Sequence, residues 1–361
     1  MATHFHPLTI RRVTPDAAGA AAITFEVPPE LVSEFAFTPG QFLTLRATIG
    51  GQDVRRSYSI CSTRQRYDAA RELDVGIKPV EGGVFSRWAT SELHAGMTLD
   101  VMPPDGRFSP RVAGARHRVG FAAGSGITPI LSILASTLEA EPESRFTLVY
   151  CNQRVNSIMF NEALQDLKDR YPARLSLVHI LSRQSQDIPL LNGRLDEAKT
   201  SELLASVLPV QSIDEAFLCG PEGMIFGVEK ALLRAGLPAD RIHAERFASP
   251  GAATPARPPR TPTALDGESA HQLEVILDGK THHIAMADGD LVLDAALDAG
   301  LDLPYSCKGG VCCTCRARVL EGEVRMDKNY TLEAAEMDRG FVLTCQSRPV
   351  SKRVVISWDD R

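Results

Sequence analysis

A multidomain chain is predicted, made of an antiparallel β-barrel, a doubly wound α/β domain and a small α+β domain, and three observations predict it. Between Thr9 and about Pro110, short alternating apolar runs are separated by Gly, Pro and Asp, the habit of an antiparallel barrel. From Arg116 to Phe247 buried runs alternate instead with helix-like segments, as in a parallel sheet covered on both faces. From Ser249 to Glu268 the chain holds five prolines and nothing periodic to bury, which marks a linker. The expected boundaries are therefore 1–112, 113–248, 249–268 and 269–361, and 361 residues are too many for one ordinary core.

In order along the barrel, the strand-like runs are LTIRRV, AAITFEV, FLTLRAT, LDVGIKPV and MTLDVM. The α/β region reads RVGFAAG, TPILSILASTLEA, FTLVYCN, FNEALQDLKDRY, RLSLVHIL, EAFLCG and MIFGVEKALLRAG, strand and helix in turn. The linker reaches roughly 25 Å as a flexible coil and about 60 Å if polyproline-like. The final module opens with HQLEVILDG and THHIAMADG, a β-hairpin, then LVLDAALDAG, a helix, then a cysteine-rich loop.

Composition narrows the class. With 44% hydrophobic and 23% charged residues this is ordinary globular material, and a net charge of −6 argues against nucleic acid as a partner. From Ser269 onward 11 Lys and Arg face 15 Asp and Glu, an excess that suits docking to a basic patch or simply solubility. Val119 to Leu138 carries no charge, long enough on paper for a membrane span. Gly120, Gly124, Gly126 and Pro129 inside it point instead to a buried strand, a turn and a helix. Met1 to Arg12 lacks the apolar core of a signal peptide, so a cytoplasmic protein is expected.

Four cysteines carry the strongest signal. Cys307, Cys312 and Cys315 stand as C-x4-C-x2-C, and Cys345 follows 30 positions after Cys315, the spacing of a plant-type [2Fe-2S] site. Zinc sites pair C-x-x-C with a second such pair or with histidines, and no histidine lies between Cys307 and Cys345. A disulfide set would need an oxidising compartment. Cys313 lies inside the loop but outside the spacing, so it is expected to point away from the metal, with a ligand swap as the alternative.

Upstream, Arg56-Ser57-Tyr58-Ser59 leads into an expected strand, and Gly82-Gly83-Val84-Phe85-Ser86 opens a helix-like run. An Arg fork can pair with a flavin phosphate, a Tyr ring can lie on an isoalloxazine face, and small residues at a helix start expose N–H groups to a pyrophosphate. FMN, which needs no adenosine contacts, is the alternative to FAD. Gly124-Ser125-Gly126-Ile127-Thr128-Pro129 follows a buried strand and begins a helix, where a nucleotide approaches the backbone closely; a plain tight turn is the other reading. Cys219-Gly220-Pro221 ends the last apolar strand of the same domain.

In that order, R-x-Y-S, G-x-x-S, G-S-G-I-T-P and C-G-P resemble the ferredoxin-NADP reductase family, here with a plant-type ferredoxin module of β-grasp fold at the C-terminus. The strings RRSYSIC, EGGVFSR, AAGSGITP, SIMF, LKDRYP, CGPEGM, HAERF, DLPYSCKGGVCCTC and NYTLE are similar to one branch of it, the reductase components of phenylacetyl-CoA epoxidases, from His6 to about Ile356. The resemblance implies FAD held by Arg56, Tyr58, Ser59, Gly83 and Ser86, with Ser57, Ile77, Lys78, Gly82, Val84 and Phe85 also in the cofactor site. Tyr58 would stack on the isoalloxazine, Ser59 would lie near its reactive nitrogen and Phe247 would close the pocket. Thr128, with Gly124, Gly126 and Pro129, would support the nicotinamide, and Cys219, with Gly220 and Pro221, would lie near its reactive carbon. Ser59, Cys219 and Phe247 are thus the residues expected at the reacting atoms. The chain departs from the family at Cys313, where alanine is usual, and at Cys151-Asn152-Gln153-Arg154, where Gly-Asn-Arg is usual.

NADPH is favoured over NADH because Arg154, and Arg183 with Ser182, follow the second and third strands of the α/β domain, where a 2'-phosphate would lie; solvated surface Arg is the alternative. His282 and His283 adjoin in a hairpin, so their side chains face opposite ways. Glu268-Ser269-Ala270-His271 is a single E-x-x-H, and di-iron sites need two in a helical bundle. The oxygen chemistry is therefore expected elsewhere, in a di-iron oxygenase component that accepts electrons passed from NADPH to FAD to the cluster. Another oxygenase, aromatic-ring or steroid, is the near alternative, and a redox sensor without turnover the distant one.

Overall fold

The computed structural model describes residues 4–247 and 271–360; the expected linker, 249–268, lies outside the described residues. His6–Val54 and Tyr58–Phe247 belong to one compact unit and 271–360 to a second.

The first unit begins with the barrel. Its strands are β1 (His6–Pro15), β2 (Ala21–Glu26), β3 (Phe42–Ile49), β4 (Gln52–Ser59), then helix α1 (Arg64–Ala70), β5 (Glu72–Ile77), helix α2 (Val84–Glu92) and β6 (Thr98–Val101). The sheet runs β4-β3-β6-β1-β2-β5, and an antiparallel bridge between Ile60 and Val75 joins its two ends. Leu8, Ile10, Ile23, Phe25, Leu43, Leu45 and Val75 alternate inward and are buried. One expectation is corrected: Arg56–Ser59 do not lead into a strand but are the last four residues of β4. QDVRRSYS lacks the apolar alternation that marks its neighbours, because pairing with β3, not burial of one face, holds it extended.

The same unit continues with β7 (His117–Ala123), α3 (Ile127–Ala140), β8 (Arg145–Asn152), α4 (Asn161–Arg170), β9 (Leu175–Leu181), α5 (Glu197–Ser206), β10 (Glu215–Cys219), α6 (Glu222–Arg234) and β11 (Ile242–Glu245). The sheet order is β11-β10-β7-β8-β9, and every pairing is parallel. Ile127 through Leu138 are all buried in α3, which explains the long uncharged stretch without a membrane. Among the described residues no helix is long and apolar enough to cross one. On α6, Met224, Ile225, Val228, Ala231 and Leu232 recur at helical spacing and face the core.

Barrel and sheet are locked together. Glu215, fully buried at the start of β10, accepts from Arg111 N at 2.6 Å and pairs with Arg118 at 3.1 Å and His243 at 2.8 Å. Phe108 meets Phe217 edge to face, ring centroids 5.6 Å apart, a contact worth about 1 kcal/mol beyond the area it buries.

The second unit holds β12 (His271–Leu277), β13 (Lys280–Met286), α7 (Val292–Asp298), β14 (Arg316–Glu321), β15 (Val324–Met326), α8 (Ala334–Met337), β16 (Phe341–Leu343), β17 (Ser347–Pro349) and β18 (Arg353–Ser357). Its main sheet runs β13-β12-β18-β14-β16, with β12 and β18 parallel and the other pairs antiparallel. Asp278-Gly279, both at positive φ, make the turn of the expected hairpin. Val292, Leu293 and Ala296 of α7 pack with Leu273, Ala317, Ile356 and Trp358 in a single core, which is the β-grasp arrangement.

Candidate functional site

Strand order in the α/β sheet reverses between β7 and β10, and ligands bind where such parallel strands end. The two glycine-containing turns expected to matter both stand there. Gly124-Ser125-Gly126 forms a 3₁₀ turn after β7, and Cys219 ends β10 with Gly220-Pro221 following it. They lie back to back: a methyl group on Gly126 would fall 2.1 Å from the Cys219 carbonyl oxygen, so only glycine fits. Thr128, 2% exposed, donates to Ser125 O at 3.0 Å, and the fully buried Tyr150 donates to Gly124 O at 2.9 Å. Pro129 is buried on the first turn of α3.

Cys219 pairs in register with Glu245 at the end of β11, and Ser59 Oγ donates to Glu245 Oε2 at 3.0 Å. The end of the barrel strand β4 and the ends of two sheet strands thus converge. Burial pushes the Glu245 carboxyl up to about 8, against the pull of the Ser59 hydrogen bond. Burial, helped by the nearby Glu245, also pushes the Cys219 thiol well above its ordinary range. At neutral pH all three groups are therefore uncharged. Glu245 is the member that sequence reasoning misses; its signal is the string Glu245-Arg246-Phe247, in which the aromatic draws the attention. Phe247, two positions after Glu245, is 40% exposed.

On the barrel side, Arg56, Ser57 and Tyr58 are half-buried along β4. The Tyr58 ring leans on Phe85, centroids 5.7 Å apart, and Phe85 on Trp88 at 5.5 Å. Ile77 and Phe85 belong to the barrel core, so neither offers its side chain to solvent; Phe85 backs Tyr58 instead. Lys78 is half-buried and Val84 exposed. Gly82 has φ 71°. Gly83 caps α2 without any side chain bonding the first turn, and a methyl on it would stand 2.6 Å from Ser86 Oγ. That bare helix start, near the Tyr58 ring that leans on Phe85, fits a dinucleotide flavin with its pyrophosphate on the backbone N–H groups.

Arg154 and Arg183 are exposed on adjacent loops, brought together because Ser182 N and Arg183 N extend the β8–β9 ladder to Asn152 O (2.9 Å) and Gln153 O (2.8 Å). Two guanidinium groups there fit a phosphate.

In the second unit, the four cysteine thiols stand as two pairs. Cys307 and Cys312 are hydrogen-bonded to each other, as are Cys315 and Cys345. Cys307, Cys315 and Cys345 are buried and Cys312 half-buried. The hydrogen bond from Cys312, with backbone N–H groups of Gly309, Val311 and Cys312, pulls the Cys307 thiol down to about 6, whereas the pairing with Cys307 and Cys345 respectively, together with burial, pushes the thiols of Cys312 and Cys315 well above their ordinary range. The spacing of the four cysteines, with their thiols in two pairs, would suit a two-iron centre. Cys313, at φ 58°, instead donates its S–H to Thr331 Oγ1 at 3.1 Å. His271, of the E-x-x-H string, lies in β12 with Nε2 2.8 Å from Asp288.

Three family models match the chain: an oxidoreductase FAD-binding domain over residues 12–109, an oxidoreductase NAD-binding domain over 121–230 and a 2Fe-2S iron-sulfur cluster binding domain over 275–350. The chain is 45% identical to a 1,2-phenylacetyl-CoA epoxidase component from Escherichia coli K12, over 99% of this chain and 98% of that protein. It is 36% identical to the ferredoxin reductase component of 3-ketosteroid-9-alpha-monooxygenase from Rhodococcus rhodochrous, over 97% of this chain and 96% of that one. Phthalate dioxygenase reductase, a solved structure, shares the fold with a TM-score of 0.60 at 21% identity, over 98% of both chains.

Proposed function

Since the chain belongs to the FAD- and [2Fe-2S]-containing reductase components of oxygenases, which carry electrons from NAD(P)H through FAD to the cluster, we propose that its electrons come from NADPH. They leave for the di-iron oxygenase component of a phenylacetyl-CoA epoxidase. The observation that carries the acceptor is the 45% identity over 99% of the chain, against 36% for the ketosteroid enzyme's reductase. None of the eight cysteines is paired in a disulfide, which supports a reducing, cytoplasmic setting. The test is to mix the protein with that di-iron component and phenylacetyl-CoA, and follow coupled NADPH and oxygen consumption. No coupling there, but coupling with a ketosteroid oxygenase, would overturn the choice of acceptor.

When bound, FAD supplies conversion between a two-electron hydride and single electrons, and the cluster supplies one-electron transfer. The chain supplies position and field. Arg56, Gly83 and the first turn of α2 hold phosphate, with Tyr58 offering the aromatic face. Thr128 and the back-to-back turns at Gly126 and Cys219 seat the nicotinamide. Hydride transfer needs no acid or base, so alignment is the main contribution. Ser59, Glu245 and Cys219 keep negative charge out of the place where a hydride arrives, because Glu245 holds its proton below about pH 8.

That proton gives a pH prediction. The folded carboxyl titrates near 8 instead of near 4.5, so Glu245 is neutral at pH 7 and becomes an anion as pH rises through about 8. The rate of flavin reduction by NADPH should fall across that interval in the native protein. In Glu245→Gln, which mimics the protonated form, it should stay level. Stopped-flow flavin absorbance from about pH 6 to about pH 9.5 reads both, and parallel profiles would remove Glu245 from the reaction.

Nucleotide choice gives another. Arg183, helped by Arg154, binds the 2'-phosphate, and a lost charged hydrogen bond costs on the order of 1.5 to 3 kcal/mol, roughly ten- to hundredfold in affinity. Arg183→Ala should raise KM for NADPH by that factor and leave NADH nearly unchanged. Equal losses with both nucleotides would make the Arg structural.

A further inference from the structure

Phe160, just before α4, stands in the left-handed region at φ 56° and ψ 28°, which a bulky side chain adopts only under constraint. Two contacts supply the constraint. Its backbone N–H donates to Asp16 Oδ2 at 2.9 Å, and Asp16 begins the β1–β2 turn, where Ala18 is a second left-handed non-glycine residue at φ 55°. The Phe160 ring lies against β5 at Gly76. A methyl there would stand 2.8 Å from Phe160 Cζ and 2.7 Å from Thr128 Cγ2, so the barrel strand touches both residues only because position 76 is glycine.

The linkage continues into the nucleotide turn. Met159, adjacent to Phe160 and fully buried, has its carbonyl oxygen 3.4 Å from the Tyr150 hydroxyl, whose closer partner is Gly124 O at 2.9 Å. The segment that carries Arg154 is therefore tied to the Gly124 turn on one side and to the barrel on the other, with Asp16 as the barrel's hydrogen-bonding anchor. Backbone strain kept at such a junction needs a surrounding structure that enforces it.

We infer that Asp16 is a positioning residue for hydride transfer: by pinning Phe160 against Gly76 and Thr128, it sets the separation between the barrel and the pocket on α3. The inference rests on the nicotinamide lying beside Thr128, as proposed above. Transfer between two held rings tolerates little misplacement, and a shift of about 1 Å from a remote substitution can cost on the order of a hundredfold.

The test uses the full-length holoprotein. Asp16→Ala should slow flavin reduction at saturating NADPH by about tenfold or more and enlarge the isotope effect with nucleotide deuterated at the transferred position. FAD content and cluster absorbance should stay at native values. Asp16→Asn keeps an acceptor oxygen for the Phe160 N–H and should recover the native rate. Thr128→Val, run in parallel, should also slow reduction. A slow Thr128→Val beside a native-rate Asp16→Ala would overturn the positioning role and leave the pocket standing. A native-rate Thr128→Val would overturn the pocket, and the positioning role with it. Loss of FAD in proportion to rate in Asp16→Ala would make Asp16 a support of the barrel. An Asp16→Asn as slow as Asp16→Ala would assign the effect to charge and equally overturn the hydrogen-bonding role.

Discussion

A Cys345→Ser protein is expected to lack the visible and EPR signals of the [2Fe-2S] centre, or to show them strongly altered, while its FAD stays bound and is still reduced by NADPH. Three of the proposed ligands, Cys307, Cys312 and Cys315, come from one loop; Cys345, the proposed fourth, comes from a 3₁₀ turn after β16 and would close the set. It is 2% exposed and paired with Cys315. A hydroxyl there replaces a soft thiolate with a hard, far less acidic oxygen, a poor match for iron in a sulfide cluster. The flavin is untouched because the barrel and the α/β sheet have cores of their own. Cys313→Ala is the control: its thiol is engaged with Thr331, so the cluster should persist. Cluster loss in Cys313→Ala would mean that the ligand set has been misassigned.

What the sequence disclosed and what it hid divide along a physical line. The 2Fe-2S domain is legible because cysteines that would ligate from one loop keep a fixed spacing. The glycine turns were legible because a close backbone approach excludes every other residue. Helix α3 was legible as a long uncharged run, since a helix buried all round has no polar face to interrupt it. Strand β4 is hidden in the sequence because a strand held by its neighbour's ladder needs no apolar alternation. Glu245 is hard to find because an acid in a sequence reads as solvated surface; only the register that sets it beside Cys219, and the barrel that brings Ser59 to it, make it a half-buried group held neutral. The Asp16–Phe160 contact joins residues 144 positions apart, and no local pattern announces such a pair.

Deleting everything after Glu268 is expected to leave NADPH-driven ferricyanide reduction intact and to stop epoxidation of phenylacetyl-CoA in the mixed system. Ferricyanide takes electrons from the flavin directly, and every residue proposed to bind FAD or nucleotide lies at or before Phe247, in a part of the chain with complete sheets. A protein acceptor needs single electrons delivered at a matching surface, and the one-electron carrier stands in the removed part. That part is also the more acidic, 15 Asp and Glu against 11 Lys and Arg from Ser269 onward. Coupled turnover by the intact protein should accordingly fall with rising salt, whereas ferricyanide reduction should not show the same dependence on the ferredoxin module. If the truncated chain drove epoxidation at a comparable rate, electrons would be leaving from the flavin itself. The four cysteines would then hold a cluster that the oxygenase does not need.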